Sequence, residues 1–226
     1  MTKALSIKIE QLRFFWKNKK ISPSPVLAIS QWHIQQGENI FLHGPSGSGK
    51  STLLNLVGGI LTPNEGNITL LDTDIHTLST SQRDRFRAQN MGVIFQQFNL
   101  VPYLSIIDNI RLGQQFSGAN YDIARIHDLC ERLKLPVHLL EQKANQLSTG
   151  QQQRVAMIRA LYHRPLIIIA DEPTSALDTH TRDEFIELLL QESRQNNSTV
   201  LFVSHDQQLA KHFDKSIALE EINHVD

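Results

Sequence analysis

Short, almost wholly apolar runs alternate along the chain with polar, glycine-bearing or amphipathic stretches. Leu5 to Ile9, Val26 to Ile29 and Asn39 to Leu42 read as strands, broken apart by Asn18-Lys19-Lys20, Pro23 and Pro25. A glycine-rich loop at 44–49 precedes an apolar helical stretch, Ser51 to Leu61. Pro63-Asn64-Glu65-Gly66 is a turn signal that leads into the half-alternating run Asn67 to Leu71. Ser79 and Gln82 have capping-box spacing at the start of a charged helix, and Met91 to Phe95 predicts another strand. From about 100 to 160 the pattern turns helical, with Ile123, Ile126, Cys130 and Leu133 recurring at helical spacing among charged residues. Leu166 to Ala170 and Thr199 to Val203 predict strands on either side of an amphipathic helix, Thr181 to Gln195. Apolar strands alternating with helices imply a parallel sheet buried on both faces. The pattern therefore predicts an α/β core interrupted by a helical insertion.

Composition narrows the functional classes. The 226 residues carry 22 Lys+Arg against 23 Asp+Glu, which argues against a nucleic-acid binder working through a broad basic face. A single cysteine, Cys130, excludes an internal disulfide framework and fits a reducing compartment. The residues Met1 to Lys8 hold no apolar stretch suited to a signal peptide. The longest apolar run, Leu166 to Ala170, is far short of the roughly 20 residues that span a bilayer. A soluble, cytosolic chain is expected, with any membrane function exercised through a partner.

Chemistry enters at Gly44-Pro45-Ser46-Gly47-Ser48-Gly49-Lys50-Ser51, followed by Thr52, which satisfies the phosphate-loop pattern between a strand and a helix. Glycines let the loop turn its N–H groups onto phosphate oxygens, and the helix N-terminus adds a favourable dipole. Lys50 would reach the β- and γ-phosphates and the Ser51 hydroxyl would ligate Mg²⁺. A mere tight turn is the alternative, and His43 before the loop reads as a strand-end residue.

A second feature is the buried run Leu166 to Ala170, which ends in Asp171-Glu172. Ligands of open α/β sheets sit at the carboxyl ends of strands, where an Asp can hold Mg²⁺ and a Glu can deprotonate an attacking water. Taken alone, the pair could simply mark a strand reaching solvent. Leu147-Ser148-Thr149-Gly150-Gln151 opens a further helix, running to about His163, with capping-box spacing between Ser148 and Gln151. It is either only a helix start or an anion site, and the sequence does not say whether it meets the phosphate loop.

In order and spacing, these segments resemble the ATPase subunits of ABC transporters. Ser175-Ala176-Leu177-Asp178 and the histidine of Val203-Ser204-His205 complete the likeness, which covers essentially the whole chain. The resemblance implies a P-loop NTPase fold, with a RecA-like core of mostly parallel sheet, an N-terminal antiparallel β subdomain and an inserted α-helical subdomain. It divides one nucleotide-binding domain, 1–226, into core and β subdomain at about 1–96 and 163–226 and helical subdomain at about 97–162. It also implies a homodimer with two Mg-ATP sandwiched at its interface. Each ATP lies between the phosphate loop of one subunit and Ser148, Gly150 and Gln151 of the other.

By the same resemblance Gln96 senses Mg²⁺ and γ-phosphate, Asp171 holds the metal with Ser51, and Glu172 is the catalytic base. His205 holds the γ-phosphate and the attacking water, and Asp178 links the two sites across the dimer. Trp16 falls where the family stacks an aromatic on adenine, although Phe14 or Phe15 could serve and all three could be core. Thr149 departs from the family's usual glycine, placing a β-branched side chain beside the expected γ-phosphate.

The segments 61–66, 78–87 and 92–102 look most like the macrolide-exporter, lipoprotein-release and cell-division branch. That branch implies separate transmembrane permease subunits and a location on the cytoplasmic side of the bacterial inner membrane. Phe98, Leu100 and Tyr103 are expected to dock a helix of that partner or to pack in the helical segment. A soluble non-transport ABC ATPase and an amino-acid-type importer subunit are the alternatives. A small-molecule P-loop kinase would leave Ser148 to Gln151 and His205 unexplained.

Overall fold

The structure, a computed structural model, describes residues 4–16, 24–113, 121–174, 177 and 179–225. Its centre is a five-stranded sheet in the order β6-β7-β8-β3-β9, every pairing of which is parallel. The strands are β3 (Asn39–His43), β6 (Met91–Ile94), β7 (Ile167–Asp171), β8 (Thr199–Val203) and β9 (Lys215–Ala218). A second, antiparallel sheet, order β2-β1-β4-β5, is built from β1 (Leu5–Phe14), β2 (Leu27–Gln35), β4 (Glu65–Leu70) and β5 (Thr73–Asp74).

Alternation along the central strands divides the core in two. Ile40, Leu42, Ile167, Ile169, Leu201 and Val203 face one cluster, shared with the antiparallel sheet and with α1 (Lys50–Val57). Phe41, Ile168, Ala170, Val200 and Phe202 face the other, packed beneath α5 (Thr149–Leu161) and α6 (Thr179–Asn196). Apolar side chains on both faces give these strands their continuous hydrophobicity.

Between β4 and β7 lie α2 (Thr80–Asn90), α3 (Ile106–Arg111) and α4 (Ile123–Arg132) as well as α5, and the chain ends on α7 (Leu219–Ile222). The Ser79–Gln82 and Ser148–Gln151 capping boxes are both closed in each direction. Arg125 and Arg132 of α4 converge on the buried carboxylate of Glu192 in α6, tying the helical segment to the core. The buried Cys130 thiol is pushed up to about 11 by desolvation, so it behaves as a small apolar side chain.

Several elements depart from the sequence pattern. The helix expected over Ser51 to Leu61 stops at Val57, because Gly58 caps it and Gly59 turns the chain at φ +65°. The first strand runs on past Ile9 to Phe14 across a bulge at Gln11 (φ +50°). Gly66 sits opposite that bulge, where a β-carbon would be 2.2 Å from the Gln11 carbonyl oxygen. Residues 97–105 are not helical, and an isolated bridge joins Ser105 to Lys143. Ile123 is 38% exposed, so it stands outside the apolar stripe that Ile126 and Cys130 form. β9 carries only half-buried and exposed residues and has no apolar run to announce it.

Candidate functional site

The order β6-β7-β8-β3 determines what can meet. Each of these strands runs parallel to its neighbour, with Ile94 beside Ala170, Asp171 beside Val203, and Leu42 also beside Val203. Their C-terminal ends therefore form one edge. That edge delivers Gln96 after β6, Asp171 and Glu172 at the end of β7, Ser204 and His205 after β8, and the phosphate loop after β3. His43 is the last residue of β3.

A cleft of about 600 Å³ opens there, lined by Gly44, Ser46, Gly47, Gly49, Lys50, Ser51, Thr52, Gln96, Asp171, Glu172 and His205, with Trp16 and Val26 as a far wall. The wall comes from the antiparallel sheet, where Val26 donates to the Phe14 carbonyl at 2.7 Å and so joins the ends of the first two strands. Phe14 is buried and braces Trp16 edge-on, with ring centroids 5.0 Å apart, leaving Trp16 49% exposed toward the cleft. Of the three aromatic candidates, Trp16 is thus the one that faces the cavity.

In the loop, Gly49 adopts φ +108°, and a β-carbon there would come within 3.1 Å of Leu27 and 3.3 Å of Val26. Glycine is required both for the backbone conformation and for close packing on the wall. Lys50 folds back across the loop, and its Nζ donates to the carbonyls of Gly44 (2.7 Å) and Pro45 (2.9 Å). The Pro45 and Ser48 side chains do not line the cleft; the Ser48 hydroxyl is turned inward and has no partner. α2, α3, α4 and α5 each carry a side-chain cap, whereas α1 has none. Its first amides are left for an anion.

The carboxylates differ in surroundings. Desolvation raises the Asp171 pKa most, and the charge of Glu172 raises it further; the Ser51 hydroxyl bond and Lys50 oppose both. A half-buried carboxylate bonded by the Ser51 hydroxyl offers the hard oxygen donors that suit Mg²⁺. Glu172, by contrast, holds φ +48°, a left-handed backbone costly for a side chain with a β-carbon, and its N–H donates to the Val203 carbonyl at 3.0 Å. Its Oε2 lies 2.9 Å from His205 Nδ1 and accepts from Ser204 Oγ at 3.5 Å. His205 itself is largely exposed, and no sequence signal pointed to Ser204 or Val26.

Ser148, Gly150 and Gln151 are not part of this cleft; the start of α5 lies elsewhere on the chain. Among the described residues, nothing beyond its own helix turn lies within 4 Å of a β-carbon built on Gly150. Asp178, with Ser175 and Ala176, lies outside the described residues.

A phosphate loop on an uncapped helix, beside carboxylates at the ends of adjacent parallel strands, defines a P-loop nucleotide-hydrolase fold. The ABC transporter family model matches residues 27–175, and the chain belongs to that family as an ATP-hydrolysing subunit. It is 39% identical over 194 residues to the uncharacterized ABC transporter ATP-binding protein MJ0796 of Methanocaldococcus jannaschii, covering 84% of this chain and 83% of that one. The lipoprotein-releasing system ATP-binding protein LolD of Legionella pneumophila strain Lens is 36% identical over 190 residues, 83% of each chain. The macrolide export ATP-binding/permease protein MacB of Rhodopirellula baltica is 36% identical over 200 residues, 87% of this chain but only 29% of that longer protein. Solved dimeric structures of the MJ0796 cassette, one in a post-hydrolysis state bound to ADP and Pi, superpose with a TM-score of 0.86 at 34% identity. They cover 94% of this chain and 93% of that chain. Among the described residues no helix is long and apolar enough to cross a membrane.

Proposed function

We propose that the chain dimerises head-to-tail around two Mg-ATP and drives separate membrane subunits of the export or periplasmic force-transmitting type. The single observation that carries the reading is the convergence of the phosphate loop, Gln96, Asp171, Glu172 and His205 on one cleft, while Ser148, Gly150 and Gln151 at the start of α5 do not line it and space is left for a β-carbon on Gly150. A glycine beside which the described residues leave space fits a surface that meets another molecule.

In this reading Trp16 stacks on adenine, residues 44–52 cradle the phosphates, and Lys50 moves from the Gly44 and Pro45 carbonyls to the β- and γ-phosphates. Ser51, Asp171 and Gln96 would hold a Mg²⁺ ion, which would neutralise phosphate charge. Glu172 takes the proton of the attacking water, and His205 orients that water and the γ-phosphate. The His205–Glu172 contact positions the base before substrate arrives. Ser148, Gly150 and Gln151 of the second copy close over the nucleotide, and Asp178 couples the two sites. The domain division at 97–162 follows the same logic, since those residues carry the closing surface on a helical subdomain.

MacB and LolD support an exporter or lipoprotein-release type of partner, because the names of these relatives state such roles. A transmembrane subunit's cytoplasmic helix would dock in the groove of about 450 Å³ lined by Ile60, Met91, Phe95 and Arg159, beside Gln96. Arg159 donates to the Phe98 and Asn99 carbonyls at 2.7 Å, tying the post-Gln96 segment to α5. In this reading the chain works at the cytoplasmic side of the inner membrane, held there by its partner.

Glu172→Gln tests the site. Loss of hydrolysis with an ATP-dependent dimer on size-exclusion chromatography is expected. Wild-type turnover in that variant would remove the base assignment.

A further inference from the structure

Three other features carry no site. The buried Glu192 carboxylate is taken up by ion pairs to Arg125 and Arg132, and the Cys130 thiol is buried with its pKa raised by desolvation. Neither ring nitrogen of His76 is bonded, and burial with the charge of Arg83 lowers its pKa, so it offers no charged group to a ligand.

The loop after β8 carries more. His205 is the most exposed of the side chains in the cleft that meet Glu172, with 73% of its side chain open, and a 2.9 Å contact to Glu172 orients its ring. So open a side chain is only as well placed as the backbone beneath it. That backbone is fastened by Asp206 in three ways. Its N–H donates to Ser204 Oγ at 3.1 Å, the same hydroxyl that reaches Glu172. One carboxylate oxygen accepts from the Gln208 N–H at 3.1 Å, capping the short helical turn Gln207–His212. The other accepts from Arg182 Nη1. Arg182 stands in the first turn of α6, and its Nε lies 3.4 Å from the neighbouring Asp183. Its side chain is only 16% exposed, and behind it Phe185, Ile186, Leu189 and Leu190 are all buried. Arg182 is therefore held by a rigid helix, and Asp206 is the point at which that rigidity reaches the loop.

We propose that Arg182 is a positioning residue for hydrolysis, acting through Asp206 to hold His205 against Glu172. This rests on the reading of His205 given above. Arg182 does not line the nucleotide cleft, so it bears on the chemical step and not on ATP binding. A contact made through one guanidinium nitrogen is one that a lysine ammonium can partly replace, whereas a bidentate fork could not be replaced in that way.

The test is steady-state ATP hydrolysis by the full chain, with thermal melting measured alongside. Arg182→Gln is expected to lower kcat roughly tenfold, as a small misplacement of a reacting group does. KM for ATP should stay within about twofold and Tm close to the parent's, because the ion pair is partly exposed. Arg182→Lys should restore kcat to within about threefold of the parent. Asp206→Asn, which keeps the capping oxygen but loses the charge, should repeat the kcat loss, and it stands in if Arg182→Gln does not fold. An unchanged kcat in Arg182→Gln, or a loss that Lys leaves unrelieved and that follows Tm, overturns the proposal. His205→Ala separates the two levels. If it keeps parental turnover, the His205 reading itself fails; if it is inactive while Arg182→Gln is normal, only Arg182 is wrong.

Discussion

Gly92 and Gly150 are both glycines of the region that surrounds the site, and they should respond oppositely to an added methyl group. At Gly92, in β6, a β-carbon would lie 2.3 Å from the Ala160 carbonyl oxygen in α5 and 2.9 Å from the Pro165 ring. Ordinary contact begins near 3.4 Å, so strand and helix must separate by about 1 Å. The obstacle at Ala160 is backbone, and no rotamer relieves it. Overpacking of this kind costs ~1–3 kcal/mol, more when backbone must move. At about 2–4 °C per kcal/mol for a chain of this size, Gly92→Ala should lower Tm by roughly 5–10 °C. The same displacement moves Ile94 and hence Gln96, and it strains the Arg159 bonds that cross from α5 to Phe98 and Asn99. Turnover should therefore fall with stability, by roughly tenfold or more. At Gly150 the added methyl meets none of the described residues beyond its own helix turn within 4 Å. Gly150→Ala should keep the parental Tm as a monomer yet lose ATP-dependent dimerisation in the Glu172→Gln background. Scanning calorimetry, hydrolysis rates and size-exclusion chromatography read all three quantities. A Gly92→Ala chain with parental Tm and turnover would refute the close-packing reasoning, and a Gly150→Ala chain that dimerises normally would refute the assignment of that face to the second subunit.

Asp171→Asn should abolish Mg²⁺-dependent hydrolysis yet raise the Tm of the nucleotide-free protein at pH 7, measured by scanning fluorimetry. Burial raises the Asp171 pKa in the folded state, so ionisation disfavours folding. The stabilisation that its protonated form provides is full below the unfolded value of 3.8 and is lost as pH rises through the raised folded value; the gain from Asn should vanish at acid pH. Thr149 is the exposed first residue of α5, whose helical backbone a β-branched residue tolerates. Thr149→Gly is expected to leave monomer stability nearly unchanged but to alter dimer affinity or kcat; a variant identical in both would show that the departure from the usual glycine is neutral.

Much of the site was legible from local pattern. The phosphate loop, the Asp171-Glu172 strand end and the capping box at Ser148 are short-range signals, because glycine conformation, strand burial and helix capping are set by neighbours in sequence. The same is true of β3, β7 and β8, whose apolar runs coincide closely with the observed strands. Elements with weak local signals were not legible. β9 has no apolar run, and β1 crosses a bulge whose partner, Gly66, lies more than fifty residues away.

By itself, then, the sequence determined the class of chemistry: a phosphate cradle, two carboxylates and a family resemblance that the comparisons confirmed. Only the tertiary structure decided which groups stand together. The strand order β6-β7-β8-β3 brought Gln96, Asp171, Glu172 and His205 to one edge, and the antiparallel sheet turned Trp16 into the cleft while burying Phe14. It also joined Arg182 to Asp206 across 24 residues and, among the described residues, left space for a β-carbon on Gly150. The physical reason is range. Backbone propensity and capping act over a few residues, whereas the meeting of strand ends depends on sheet order and on both sheet faces being buried at once.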